Sequence, residues 1–193
     1  MGLLLDSLGN CRPAPGWYNY PAGTDDVEID MQVILIRHAT AESASGGPDA
    51  ARRLTPEGRK EAETTARALA KMDLKIEVIL TSPLARAIET AEIVSRAHEK
   101  AQLRVVDFLV PPVDVKAVRE QLAALREQGV QVVAMVGHTP SLEECIGELV
   151  AGTRRLGLSL TRAGAACVEI PPDAPNGFEL RWVLRRDQLE KLA

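Results

Sequence analysis

The sequence predicts a three-layer α/β/α sandwich with a mostly parallel central sheet. Short apolar runs alternate along the chain with amphipathic helical segments, which is typical of a parallel sheet covered on both faces. The run 130–136 is rich in valine and nearly all apolar, as expected of a strand buried on both faces. Hydrophobic residues make up 46% of the chain and aromatic residues only 3%, so we expect a core of aliphatic side chains.

The length of 193 residues suits one domain. Residues 1–30 differ in composition from the rest and show no sustained period, which predicts an irregular N-terminal extension. Met31 opens directly into an apolar run. We therefore predict a domain over 31–193, and Met31 is also a candidate for the native start of the protein.

The elements of this domain are predicted from hydrophobic periodicity. In chain order they are a strand at 32–36, a helix near 55–71, a strand at 76–81, a helix after Ser82-Pro83, a strand at 103–106, a helix from Val115 closed by Gly129, a strand at 130–136, a helix after Thr139-Pro140, two strands at 165–170 and 178–184 that suit a hairpin, and a short helix from Arg186.

Three helix starts share one signal, a hydroxyl residue followed by proline. Thr55-Pro56, Ser82-Pro83 and Thr139-Pro140 each offer an N-cap side chain and a proline for the first helical position. The pattern predicts that each helix begins at its proline.

Charge and cysteine content exclude several classes of protein. The net charge of −4 argues against general attraction to nucleic acid or to an anionic membrane, and no apolar run approaches the ~20 residues that span a bilayer. Cys11, Cys145 and Cys167 show neither CxxC spacing nor a disulfide framework, and we expect Cys145 and Cys167 to be small core residues. These features favour a cytoplasmic protein without a metal-ligand cluster.

Polar residues gather where predicted strands end. Arg37-His38 follows the first strand, Ser82 to Arg86 follows the second, and Gly137-His138-Thr139 follows the strand at 130–136. Ligands of open parallel sheets bind beyond the carboxyl ends of the strands. If these strands are neighbours, two histidines and two arginines form a pocket for an anion, and arginine is well suited to phosphoryl oxygens.

Each of these groups also has a structural interpretation. An Arg-His pair after a strand is usually a surface or capping feature, Arg86 alone could be an exposed helix residue, and His138 alone could be a hydrogen-bonded turn residue. The combination at successive strand ends is far more specific. His98, the third histidine of the chain, lies in a polar helical stretch and is predicted to be solvated.

The motifs together resemble those of a known family. Arg37-His38-Ala39, the run from Ser82 to Ala91, and Gly137-His138 are similar to the signature of the histidine phosphatase (phosphoglycerate-mutase-like) superfamily. Within it, the chain most resembles the small SixA-type phosphohistidine phosphatases over roughly residues 31–190. Ala39 departs from the pattern, because many members have glycine after the histidine.

This resemblance implies a role for each matching residue. His38 would be the nucleophile that becomes phosphorylated, and Arg37, Arg86 and His138 would bind the phosphoryl oxygens. Thr139 is a further candidate for substrate binding. The family needs no metal or organic cofactor, so none is expected.

The general acid is the open question. Larger members supply a carboxylate after the third strand to protonate the leaving group. Here the region offers Asp107 and Asp114, and Asp114 is equally well placed as N-cap of the helix from Val115. Members of the SixA type tend to lack the usual acid. Thr40 and Glu42 lie just beyond His38, where loop roles are favoured over substrate contact.

The predicted function is that of a phosphatase acting through phosphohistidine on His38. The preferred substrate is phosphohistidine on a protein, such as a histidine-containing phosphotransfer domain, because the compact chain suggests an open rim around the site. A broad phosphatase of small phosphomonoesters is the first alternative. A non-catalytic module that binds phosphate or another protein is the second.

Overall fold

The structure is a computed structural model that describes residues 31–43, 48–174 and 176–193, together with the backbone of two short strands nearer the N-terminus. The remaining predicted extension over 1–30 lies outside the described residues.

The strands are β1 (Leu4–Leu5), β2 (Cys11–Arg12), β3 (Met31–Arg37), β4 (Val78–Thr81), β5 (Gln102–Val105), β6 (Val132–Gly137), β7 (Ala165–Ile170) and β8 (Glu179–Leu184). The helices are α1 (Pro56–Lys71), α2 (Ala85–Ala97), α3 (Val115–Glu127), α4 (Ser141–Ala151) and α5 (Arg186–Leu192), with 3₁₀ turns at Asp49–Ala51 and Asp107–Leu109.

A six-stranded sheet with the order β5-β4-β6-β3-β7-β8 forms the centre of the domain. Strands β5, β4, β6 and β3 are parallel, whereas β7 pairs antiparallel with β3 and β8 pairs antiparallel with β7. The prediction of a mostly parallel sheet with a C-terminal hairpin is therefore confirmed.

Side chains of β3 alternate between two apolar layers, as the period of a strand requires. Val33 and Leu35 pack in the cluster formed with α3 and α4. Ile34 and Ile36 pack on the other face with α1, α2 and α5. All four side chains have no exposed surface. Helices cover both faces of the sheet, so the three-layer sandwich is confirmed.

Two of the three predicted helix starts are wrong. Thr55 caps α1 as expected, because its hydroxyl accepts a hydrogen bond from the Gly58 amide and Pro56 is the first helical residue. In contrast, α2 begins at Ala85 and α4 begins at Ser141, both later than their prolines and without a capping side chain. Before α2, the Ser82 hydroxyl accepts from the Leu84 amide over 3.4 Å, outside the helix itself.

The prediction that His98 is solvated is wrong. His98 is not solvated but only 9% exposed, at the position that directly follows α2. Burial lowers the pKa of its imidazole.

Cys145 and Cys167 are free and buried, and burial raises the pKa of each thiol to about 12. They are core residues, as predicted.

Candidate active site

Three central strands present their carboxyl ends at one edge of the sheet. Arg37 at the end of β3 is in register with Gly137 at the end of β6, and the adjoining β4 ends in Thr81 opposite Val136. The segments that follow stay tied together, because the His38 amide donates to the Gly137 carbonyl over 2.9 Å. The predicted groups at the strand ends are thus brought together.

His38 is held in one orientation and one tautomer. Its Nδ1 lies 2.8 Å from the Ala39 carbonyl oxygen, and since a carbonyl can only accept, Nδ1 carries the proton. The Nε2 lone pair is then free for attack. Burial, followed by the charges of Arg86 and Arg37, lowers the pKa of His38 to about 4, so the imidazole is neutral at pH 7.

His138 faces His38, with ring centroids 5.1 Å apart and planes inclined by 54°. Its Nε2 lies 2.9 Å from the Ser82 hydroxyl. The side chain is buried, and Nδ1 has no hydrogen-bond partner among the described residues. Burial, with the charges of His38 and Arg86 added, lowers the pKa of His138 to about 3. A neutral ring that accepts from Ser82 at Nε2 keeps an N–H donor at Nδ1.

Arg86 lies on the first turn of α2 and is 5% exposed. Its Nη1 donates to the Asp49 carbonyl over 2.9 Å, and its Nη2 donates to Asp49 Oδ2 over 3.0 Å. Arg52 binds the other carboxylate oxygen through Nε at 2.8 Å. The Arg86 hydrogen bond, with Arg52 as a lesser cause, lowers the pKa of Asp49. Asp49 is therefore ionised and shared between two guanidinium groups.

Arg37 is half-buried beside the nucleophile. Its Nη1 donates to the Leu160 carbonyl over 2.7 Å. Burial lowers the pKa of its guanidinium, and the charge of Arg162 acts in the same direction. The main chain of Arg37 donates to the Gly164 carbonyl over 3.1 Å, so both ends of the residue are bound to the segment 160–164.

Three buried donor atoms of this site have no partner in the described part of the chain: Nε of Arg37, Nε of Arg86 and Nδ1 of His138. Buried donors in proteins are nearly always hydrogen-bonded, and an unpaired one costs about 1–3 kcal/mol. All three belong to residues predicted to bind phosphoryl oxygens. A tetrahedral oxyanion supplies the acceptors that these donors need.

The loop after His38 is held by α1 and α2. The Ala39 amide donates to Thr90 Oγ1 over 3.2 Å, and the same hydroxyl donates to the Arg86 carbonyl over 2.7 Å. The Thr40 amide donates to Glu61 Oε2 over 2.9 Å. A Cβ atom on Gly58 would lie 1.9 Å from the Thr40 carbonyl oxygen, so only glycine permits this approach.

Glu61 also connects this loop to the C-terminal helix. Its Oε1 lies 3.4 Å from Nη1 of Arg186 on α5, while its Oε2 binds the Thr40 amide. The carboxylate is only slightly exposed. One side chain of α1 thus joins the segment after the nucleophile to α5.

The remaining predicted residues have the following positions. Asp114 is the N-cap of α3, where its Oδ1 accepts from the Ala117 amide over 3.1 Å, and Asp107 begins a 3₁₀ turn. Glu42 accepts from the Arg53 amide over 3.2 Å, which is a loop contact. Thr139 is half-buried next to His138. The catalytic assignment of Asp114 and the binding assignment of Thr139 stay predictions.

Three residues of the site, Asp49, Ser82 and Thr90, were not predicted from the sequence to act there through their side chains. Ser82 and Thr90 lie within the motif that was recognised, but their hydroxyls were not given a role at the site. Asp49 comes after 44–47 in a segment without periodicity, and only the fold brings it to Arg86.

The described residues show neither a cluster of metal-ligand side chains nor a helix that could span a membrane. They contain no group of three or more His, Cys, Asp or Glu side chains that could hold a metal ion. Among the described helices, none is both long and apolar enough to cross a membrane.

Comparison with known proteins assigns the class. The family described as histidine phosphatase superfamily (branch 1) matches residues 33–110. Phosphohistidine phosphatase SixA of Escherichia coli is 33% identical over 123 residues, which are 63% of this chain and 76% of that protein. The chain belongs to the histidine phosphatase superfamily, and the prediction of a hydrolase of the phosphatase type is confirmed.

Further similarities are to a second SixA protein, to a solved SixA structure and, over a shorter stretch, to a serine/threonine-protein phosphatase. The SixA homolog of Haemophilus influenzae is 30% identical over 128 residues, covering 62% of this chain and 77% of that protein. A solved structure of the protein histidine phosphatase SixA complexed with tungstate superposes with a TM-score of 0.72 at 29% identity, covering 82% of this chain and 99% of the other. Human serine/threonine-protein phosphatase PGAM5 is 44% identical over only 64 residues, 33% of this chain and 22% of that protein.

Proposed function

We propose that this protein removes phosphate from phosphohistidine on another protein, through a covalent phosphohistidine on its own His38. The observation that supports this most directly is the geometry of His38. Its Nδ1 proton is held by the Ala39 carbonyl at 2.8 Å, and its lowered pKa keeps the ring neutral. Nucleophilic catalysis by histidine needs this combination of a free lone pair and a fixed ring.

In the first step Nε2 of His38 attacks phosphorus in line. The bond from Nε2 to phosphorus forms while the bond from phosphorus to the substrate nitrogen breaks. The substrate ring carries a proton on its other nitrogen, so it leaves as neutral imidazole with the electron pair of the broken bond, and His38 becomes a phosphorylated imidazolium. Arg37, Arg86 and the Nδ1–H of His138 donate to the three phosphoryl oxygens. Phosphoryl transfer depends mainly on such positioning and charge stabilisation.

In the second step water attacks the phosphoryl group on His38. A bond from the water oxygen to phosphorus forms, and the bond from phosphorus to Nε2 breaks with its electron pair returning to Nε2. Both protons of the water stay on the product, which leaves as dihydrogen phosphate. His38 is returned as the neutral imidazole that began the cycle.

The position of Asp114 favours a nitrogen leaving group over an alkoxide. Its carboxylate caps α3 through the Ala117 amide, so it is already engaged in a structural role. An alkoxide has to be protonated by an acid as it leaves. An imidazole protonated on its other ring nitrogen leaves without an acid from the enzyme, so the capping role of Asp114 suits phosphohistidine as substrate. The relatives named SixA are called phosphohistidine phosphatases, which supports the same substrate class.

We also propose the cytoplasm as the compartment of the protein and a histidine-containing phosphotransfer domain as a fitting partner. The support for the compartment is that Cys145 and Cys167 are free thiols, as is usual in reducing surroundings.

The test is to trap the phosphoenzyme. Wild type, His38→Ala and His98→Gln are each incubated with an aryl phosphate, and protein-bound phosphate that is labile to acid and stable to base is measured. Wild type and His98→Gln should be labelled, and His38→Ala should not. Absence of label on a folded wild type would disprove the nucleophile assignment.

Substrate class is tested separately. Turnover of a phosphorylated phosphotransfer domain is compared with turnover of sugar and nucleotide phosphates. We expect the protein substrate to have the higher kcat/KM. Turnover of the small phosphates alone would instead support the broad phosphomonoesterase.

A further inference from the structure

A second cationic pocket adjoins the candidate active site. It has a volume of about 660 Å³ and shares Arg37 with the site. Three more arginines line it, Arg162, Arg185 and Arg186, and the two carboxylates in its wall are Glu61 and Asp187. We refer to it as the arginine pocket.

The two carboxylates do not neutralise the arginine pocket. Glu61 is bound to Arg186 at 3.4 Å, and Asp187 is bound to Arg185 at 3.2 Å. Four guanidinium groups against two carboxylates leave two positive charges in excess, whereas the whole chain has a net charge of −4. The pocket therefore carries a net positive charge, although the net charge of the whole chain is negative.

Arg162 lines the pocket together with Arg37, a second cation. Within the described residues its side chain has no ion-pair or hydrogen-bond partner, and it is exposed. Its charge lowers the pKa of Arg37, which means that the two guanidinium groups lie close enough to repel. Such repulsion is relieved when an anion binds between them.

The main chain around Arg162 is bound to the nucleophile segment. The Leu160 carbonyl accepts from Arg37 Nη1 over 2.7 Å, and the Ala163 amide donates to the His38 carbonyl over 3.4 Å. On the far side of Ala163, its carbonyl accepts from the buried Thr65 hydroxyl over 2.7 Å. Arg162 is thus anchored next to His38 on a segment fixed from both directions.

We propose that the arginine pocket binds acidic side chains of the protein substrate close to its phosphohistidine. This inference rests on the proposed function. The pocket is larger than one carboxylate needs, and its arginines come from three separate parts of the chain. An acidic segment of a protein can meet several of them at once, with charge-assisted hydrogen bonds from the planar guanidinium groups.

The experiment compares two phosphohistidine peptides. One has Asp and Glu residues near the phosphohistidine, and in the other these are replaced by Asn and Gln. We expect wild type to favour the acidic peptide by roughly tenfold in kcat/KM and to lose this preference as ionic strength rises. In Arg162→Glu the preference should disappear or reverse.

Matched variants control for charge and for folding. Arg155→Glu makes the same change of charge at an exposed arginine that does not line the pocket, and it should keep the preference of wild type. Arg185→Glu changes a pocket side chain that is 65% exposed on a different element, and it should lose the preference as Arg162→Glu does. Circular dichroism establishes that each variant is folded.

The outcomes separate the two hypotheses. Equal turnover of both peptides by wild type would overturn the arginine pocket as a binding site and leave the proposed function intact. A preference for the acidic peptide that persists in both Arg162→Glu and Arg185→Glu would also overturn the arginine pocket as a binding site and leave the proposed function intact. If wild type hydrolyses neither peptide but does hydrolyse small phosphomonoesters, the proposed function itself is overturned.

Discussion

Asp49 binds Arg86 through both its main chain and its side chain. The two terminal nitrogens of the guanidinium meet the Asp49 carbonyl at 2.9 Å and its carboxylate at 3.0 Å. This contact occupies Nη1 and Nη2 from one side and leaves Nε without a partner in the described structure. Asp49 thereby sets the direction in which Arg86 presents its remaining donors.

We predict that Asp49→Ala lowers kcat/KM for an aryl phosphate by about tenfold, mainly through a higher KM, because Arg86 loses its charge-assisted partner. Asp49→Asn keeps an acceptor and should have an intermediate effect. Steady-state kinetics of both variants give the KM and kcat separately. A lower KM in Asp49→Ala would show instead that Asp49 competes with substrate for Arg86.

Ser82→Ala should weaken the function of His138. The Ser82 hydroxyl is the partner of His138 Nε2 at 2.9 Å, and both residues are buried. Removing it leaves a buried ring nitrogen unpaired, which costs about 1–3 kcal/mol, and frees the ring to rotate. We expect a lower rate of phosphoenzyme formation in rapid-quench experiments, along with reduced stability to urea. Ser141→Ala, a buried serine at the start of α4, is the control and should retain the wild-type rate.

Thr90→Val tests the link between α2 and the loop after His38. The change keeps the shape of the side chain but removes the hydroxyl that binds both the Ala39 amide and the Arg86 carbonyl. We expect a loss of about 1–3 kcal/mol in the free energy of unfolding, because the buried amide loses its acceptor, and a lower kcat.

The control for Thr90→Val is Thr64→Val. Thr64 makes the same type of bond to the carbonyl four residues earlier, at Lys60 on α1, but its hydroxyl does not contact the loop after His38. Equal effects of the two substitutions on kcat would contradict a role for Thr90 at the site.

The pH dependence follows from the lowered pKa values. His38 is an effective nucleophile only when neutral, and its pKa is about 4 rather than the usual 6.5. Activity of the free enzyme should therefore persist as pH falls through 6.5 and decline only near 4. Since the chain has only three histidines, their titration can be followed by NMR. A midpoint of His38 near 6.5 would contradict the burial that this geometry implies.

The sequence allowed the architecture and the meeting of His38, Arg86 and His138 to be predicted, for a physical reason. Strand period and helix period are local properties, and parallel strands necessarily end at a common edge. Once β3, β4 and β6 are neighbours in the sheet, the residues that directly follow them lie close together at its carboxyl edge.

Contacts that depend on tertiary packing could not be predicted in this way. Ser82 has the local chemistry of an N-cap, and its hydroxyl accepts a long hydrogen bond from the Leu84 amide at 3.4 Å, but its shorter contact is to His138, 56 residues away. Asp49 reaches Arg86 across 37 residues from a segment without periodicity. His98 has polar neighbours in the sequence, yet packing at the end of α2 buries it. In each case tertiary packing outweighs the local signal, and for Ser82 and Asp49 it does so through a partner distant in sequence.

The contacts of Glu61 link two distant positions of the chain, and this link bears on how the sequences of relatives vary. This carboxylate joins the Thr40 amide to Arg186, and Arg186 lies beyond the matched residues 33–110. Positions 61 and 186 should therefore covary among relatives. In chimaeras that combine the first half of this chain with the second half of a relative, activity should depend on exchanging the two residues as a pair.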